Sequence, residues 1–179
     1  MIVNAHTHLE LGGFAYLLPP PAGASFVPWI YDLIAARRAI AKDGTRPYQQ
    51  AVAAGIETLR AAGTTVVGDI TATGASVEPL LASGLSGVVY LEVLGTDAAA
   101  LSRLRETQTK IENYRRRENQ MRVGLSVHAP YSCLPELFRK GAAWCAAEDV
   151  PLCIHLAESP AEMEFFRRGT GAVRDFERK

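Results

Sequence analysis

Four histidines carry the chemical content of this chain, and each stands where a short apolar run gives out. His6 and His8 close the first run as His-Thr-His, His128 follows the fourth in His-Ala-Pro-Tyr-Ser, and His155 ends the fifth in Ile-His-Leu-Ala-Glu-Ser. Residues two apart on a strand point the same way, so His6 and His8 aim into one space. Neutral imidazoles held like this suit one divalent ion, Zn²⁺ foremost, with Fe²⁺ and Mn²⁺ accepting the same ligand type. A lone HxH is a weak signal, because any two histidines on one strand face produce it. A histidine such as His128, taken alone, is more often a hydrogen-bonded core or surface residue. All four at strand ends is a different matter, since core packing has no reason to put them there. Glu158, three residues past His155, reads as a group with a chemical role beside that site, with helix N-terminal capping as its structural alternative. Glu10, Asp69 and Glu92 also fall near strand ends and read as structural or supporting groups.

The elements that must position these residues alternate in type. Met1–Ala5, Thr64–Ile70, Gly87–Leu94, Met121–Val127 and Val150–Ile154 read as buried strands. Their nearly continuous apolar character is what a parallel sheet covered on both faces demands. Helical patterns run between them. Phe26, Trp29, Ile30, Leu33 and Ile34 share a face, and Pro47 opens a second helix that Gly63 closes. Glu78–Ala82 is a short helical piece. Asp97 caps a long helix with Leu101, Leu104, Gln108 and Ile111 inward and Arg115–Arg117 at the negative end of its dipole. Pro135 starts the next, carrying Leu137, Phe138, Ala142 and Cys145. Ser159–Pro160 starts the last, with Met163 and Phe166. This alternation predicts a parallel α/β sheet with right-handed crossovers, either doubly wound or a (β/α)8 barrel. In both, ligands bind at the carboxyl ends of the strands, where the four imidazoles meet. Leu11–Ser25, with prolines at 19–21, is the longest aperiodic stretch and reads as a functional loop.

Composition narrows the function. The 179 residues correspond to one domain, 1–179. Lys+Arg and Asp+Glu are both 19, which argues against a nucleic-acid partner bound through excess basic charge. No apolar stretch is long enough to read as a membrane span. Three cysteines without a CxxC fit reduced thiols and a cytoplasmic setting. Neither GxGxxG nor GxxxxGK[ST] appears, so nothing supports a nucleotide-binding doubly wound sheet. The expected partner is a small-molecule substrate, with no nucleic acid and no membrane, and a homo-oligomer is possible.

Asn4-Ala5-His6-Thr7-His8-Leu9-Glu10, Val127-His128-Ala129-Pro130-Tyr131-Ser132 and Ile154-His155-Leu156-Ala157-Glu158 resemble successive signatures of the amidohydrolase superfamily. Within it they are most similar to the branch of cytosine, S-adenosylhomocysteine and aminofutalosine deaminases and triazine chlorohydrolases. That resemblance implies a (β/α)8 TIM-type barrel, of which this chain supplies about five strand–helix units. It implies His6, His8 and His155 as metal ligands, Glu158 as the proton shuttle to the leaving group, and His128 as a substrate contact. Family barrels also carry a histidine on the sixth strand and an aspartate on the eighth. No histidine follows His155, and Asp175 lies in a polar tail, so the domain is expected to be truncated at its C-terminus.

The implied activity is metal-dependent hydrolysis of a non-peptide C–N bond, with deamination of a purine-like or other cyclic amine favoured. Hydrolytic dechlorination or amide hydrolysis on the same site is the chemical rival. A catalytically inactive metal-binding fragment is the non-enzymatic one.

Overall fold

The computed structural model describes residues 1–17, 26–40 and 44–177, the side chains of 175–177 aside. Five strands, β1 (Ile2–Thr7), β2 (Thr64–Thr71), β3 (Ser86–Val93), β4 (Met121–Val127) and β5 (Leu152–Cys153), form one parallel sheet in the order β1-β2-β3-β4-β5. Doubly wound sheets reverse their strand order at a switch point, whereas this one never turns back. Sequential order is that of a barrel wall. The sheet also curls. Four steps of about 4.8 Å would separate β1 from β5 by about 19 Å in a flat sheet, yet the rings of His6 and His155 lie 5.0 Å apart.

The helices are α1 (Phe26–Ile40), α2 (Arg46–Ala61), α3 (Val77–Leu81), α4 (Ala100–Arg115), α5 (Pro135–Glu148), α6 (Pro160–Arg168) and α7 (Ala172–Glu177). The core lies between helices and sheet: Val52 and Ile56 of α2, Leu80 of α3, Leu104 and Ile111 of α4 and Leu137 of α5 pack with Val67, Val89, Val123 and Leu125. Each fully buried aliphatic side chain contributes about 1.5–3 kcal/mol. None of α1's residues is fully buried. It lies instead across the strand ends.

Local signals set the boundaries. Pro47 sits in the first turn of α2, and Gly63 just past its end adopts φ +75°, which glycine takes at no steric cost. Gly68 lets β1 approach β2: a Cβ there would lie 2.4 Å from the Ala5 carbonyl oxygen. The β1–β2 register slips over the same stretch, between Asn4 and Thr7, immediately before His8.

Several expectations change. Leu9–Leu17 is not aperiodic but a 3-10 segment with Phe14 buried against Tyr48, while the prolines at 19–21 lie outside the described residues. In α4, Thr107 rather than Gln108 is buried, because the inward stripe runs Ala100, Leu104, Thr107, Ile111. Ala99 occupies the cap position of that helix, and Asp97 instead accepts the Ala99 amide at 2.9 Å. In α5 Gly141 faces the sheet and Ala142 is exposed; a Cβ on Gly141 would meet Val127 at 3.0 Å. The one buried residue of α6 is Glu162, not Met163 or Phe166. Nor is every strand covered on both faces. In β3, Val89, Leu91 and Val93 are buried towards the helices, whereas Val88, Tyr90 and Glu92 alternate with them, half-buried.

Candidate metal centre

Two buried carboxylates hold the first-strand histidines. Asp69 of β2 accepts the Thr7 hydroxyl and the Leu9 amide, both at 2.8 Å, and the Ser76 hydroxyl. Its partners flank His8 on both sides, so the turn bearing His8 cannot rotate freely. Burial raises the Asp69 carboxyl to about 6, and those three hydrogen bonds act in the opposite direction. Glu10 accepts the amides of Ala72 and Thr73 at 3.0 and 3.2 Å and the hydroxyls of Thr71 and Thr73. It ties the 3-10 segment to the end of β2. The reading of Asp69 and Glu10 as structural groups agrees with these bonds.

The structure brings the histidines together. His8 Nε2 stands 3.2 Å from His6 Nε2 and 3.2 Å from His155 Nε2. His6 is exposed, His8 half-buried and His155 buried. At bonds of about 2.1 Å and tetrahedral angles, ligand nitrogens stand about 3.4 Å apart. The three imidazoles therefore fit a divalent cation in both donor type and spacing. Burial, then the neighbouring His155 and His6, lowers the His8 ring to about 4. Burial likewise lowers His155, against the pull of Glu158. Rings that resist protonation keep lone pairs for a metal.

His128 lies beside this group, its ring 5.0 Å from that of His155. Its Nδ1 pairs with Ser132 Oγ at 2.6 Å, Tyr131 packs edge-on against it, and its carbonyl accepts the His155 amide at 2.7 Å. Burial, then His155 and His8, lowers its ring to about 3. Both histidine segments are thus docked to each other through backbone as well as rings.

Glu158 lines the cavity beside the histidines and is exposed. The capping alternative belongs largely to its neighbours. Ser159 caps α6 by accepting the Glu162 amide at 3.1 Å, and buried Glu162 accepts the Glu158 amide at 2.6 Å. The backbone between His155 and Glu158 turns through Ala157 at φ +60°, a strained conformation for a residue with a Cβ. That turn carries Glu158 to the cavity.

The cavity holds about 340 Å³, within the range of small-molecule sites. Phe26, Trp29, Leu33 and Arg37 of α1 wall it opposite the histidines. Among the nearby aromatics, Trp29 lines the cavity, Phe14 packs into the protein and Tyr16 is exposed. Arg37 and Glu92 were not singled out as site residues. Nothing in the sequence marks Arg37, but a carboxylate inside the apolar run Val88–Val93 was a visible signal for Glu92. Its side chain is 7% exposed, with Oε1 3.7 Å from His155 Nδ1. Burial raises its carboxyl to about 7.

Known proteins are similar to this chain to different degrees. The chain is 35% identical over 176 residues to an aminodeoxyfutalosine deaminase of Deinococcus radiodurans, covering 97% of this chain and 40% of that protein. It is 28% identical to an adenosine deaminase of Helicobacter pylori, covering 97% of this chain and 41% of that one. It thus spans about two fifths of the length of these relatives. The structure superposes on Helicobacter pylori aminofutalosine deaminase in complex with methylthio-coformycin with a TM-score of 0.77 at 26% identity, covering 99% of this chain and 42% of that one. Atrazine chlorohydrolase from Arthrobacter aurescens, complexed with zinc, shares the fold with a TM-score of 0.74 at 20% identity, covering 99% and 45%. Residues 2–176, from the first strand to the last helix, match the pattern of the amidohydrolase family, and the chain belongs to that family.

Proposed function

We propose that the protein is a metal-dependent hydrolase that deaminates an adenosine-type nucleoside. In this reading His6, His8 and His155 hold one divalent ion, Zn²⁺ foremost. The observation that carries it is the meeting of three imidazole nitrogens drawn from opposite ends of the chain. Relatives named for deaminating aminodeoxyfutalosine, adenosine and 5'-deoxyadenosine support the substrate class. The chlorohydrolase likeness, at 20% identity, concerns the fold alone and gives dechlorination no separate support.

When bound, the ion supplies Lewis-acid activation of water near neutral pH. The chain's own groups do the rest. His8 and His128, lowered to about 4 and about 3, stay neutral at pH 7. His128 spends Nδ1 on Ser132 and keeps Nε2 for a ring nitrogen of the substrate. Glu158, at the cavity, takes a proton at a carboxylate oxygen and delivers it to the departing amine. Trp29 and Phe26 offer apolar surface to a purine face and exclude water from it.

The test uses the whole protein with its metal. Adenosine, 5'-deoxyadenosine, aminodeoxyfutalosine, cytosine and a chlorotriazine are assayed for ammonia and chloride release. Ammonia from the adenosine-type nucleosides is the expected result. A metal-loaded protein that releases none from any of them overturns the proposal.

A further inference from the structure

We infer that Glu92 is a positioning residue for His155: its carboxylate accepts the ring Nδ1–H and so aims Nε2 at His6 and His8. The purpose of that contact rests on the metal site proposed above, but its geometry involves no ion. Glu92 is the penultimate residue of β3 and His155 follows β5, with β4 between them. Glu92 Oε1 and His155 Nδ1 face each other at 3.7 Å in side chains 7% and 3% exposed. Among the described residues neither atom has a hydrogen-bond partner. Such unpaired buried groups are rare in folded proteins and call for an explanation.

The demand comes from the other side of the ring. His155 Nε2 stands 3.2 Å from His8 Nε2, and to share an ion with it the ring would present a lone pair there and carry its proton on Nδ1. A histidine that binds a metal almost always gives its second N–H to a carboxylate, a carbonyl or water. The nearby His128 carbonyl already takes the His155 amide. Glu92 supplies the acceptor. At 3.7 Å the contact is longer than a hydrogen bond, but bonds around a reaction centre are often long until the site is loaded.

A competing arrangement makes Glu92, His128 and His155 a second ion site, since their ligand atoms lie within 4.8 Å of one another. It would require both nitrogens of His155 to bind ions, which costs the ring its last proton. His128 would also have to act through Nε2 alone, because Nδ1 is 2.6 Å from Ser132 Oγ.

The decisive measurement is the imidazole tautomer, read by ¹⁵N–¹H correlation spectra of the metal-free protein at about pH 8.5, above the ordinary titration range of histidine. His155 is expected as the Nδ1–H form in the wild type and in Glu92→Gln, whose amide oxygen still accepts. In Glu92→Leu it shifts towards Nε2–H. An Nε2–H wild type overturns the inference, whether or not the leucine variant folds. Chelator competition for Zn²⁺ adds a second readout: Glu92→Leu is expected to bind about 10–100-fold more weakly, and Glu92→Gln within about threefold of wild type. Unchanged affinity in a folded Glu92→Leu overturns the inference, as do two ions per wild-type chain that Glu92→Leu loses together. A wild type with the expected tautomers that binds no Zn²⁺ overturns the metal site but leaves the Glu92–His155 pairing standing.

Discussion

The β1–β2 side of the site and the β3–β5 side handle buried polarity in opposite ways. On the first, Asp69 and Glu10 together accept seven hydrogen bonds, from Thr7, Leu9 and Ser76 and from Thr71, Ala72 and the amide and hydroxyl of Thr73. On the second, Glu92 Oε1, Ser126 Oγ and His155 Nδ1 are buried without a hydrogen bond among the described residues, and Glu92 and Ser126 are register partners. Satisfied carboxylates build a scaffold that stands by itself. Unsatisfied groups mark where the protein holds polarity in reserve, as functional sites do. Stability should therefore rest chiefly on the carboxylates of the first side, and proton handling on the groups of the second.

The sharpest way to break this contrast is to exchange the consequences. Glu158→Gln, on the chemical side and exposed, is expected to lower kcat of the whole protein by about 10²–10⁴-fold, with stability within about 0.5 kcal/mol of wild type. Steady-state kinetics and urea denaturation, run on one preparation, check both halves. Asp69→Ala, on the scaffold side, strands three donors and is expected to cost about 3–5 kcal/mol of unfolding free energy in the same denaturation assay.

Asp69 and His128, one buried group from each side, give pH dependences of opposite sign. Asp69 moves from 3.8 to about 6 on folding, so the folded chain holds that proton more tightly and its contribution is lost as pH rises from about 4 to 6. His128 moves from 6.5 to about 3, so the folded chain refuses a proton the unfolded chain accepts, and stability falls as pH drops below 6.5. Melting temperatures across pH 4–8 should show Asp69→Asn flattening the first slope and His128→Gln the second, an expectation that an unchanged profile in either variant would sink. The smallest effect belongs outside both regions. Lys140→Ala removes an exposed pair with Glu136 at 3.0 Å and is expected to cost about 0.3–0.5 kcal/mol in urea.

The histidine pattern was legible because strand ends in a parallel α/β array point at one face, a rule that needs no coordinates. The order of elements was legible for the same reason: apolar runs and helical stripes are one-dimensional patterns. Side-chain direction was less so. Thr107 replaced Gln108 and Gly141 replaced Ala142 because a one-residue rotation of a helix face is invisible until the helix meets its sheet. Glu92 was visible as a charge in an apolar strand, but its role depended on a residue two strands away. Arg37 and Trp29 reached the cavity only because α1 lies across the strand ends rather than in the core.

Residue types and spacing, read alone, determined a parallel α/β array with a histidine cluster at its strand ends and metal chemistry as the use for it. Between a doubly wound sheet and a barrel wall they left both open, and it was the unbroken strand order that separated the two. Curling decided the site itself, because it brings His155 within 3.2 Å of His8 across 147 residues of chain. Distances of that kind come from how strands twist and pack together, a property of the assembled sheet that no local pattern encodes.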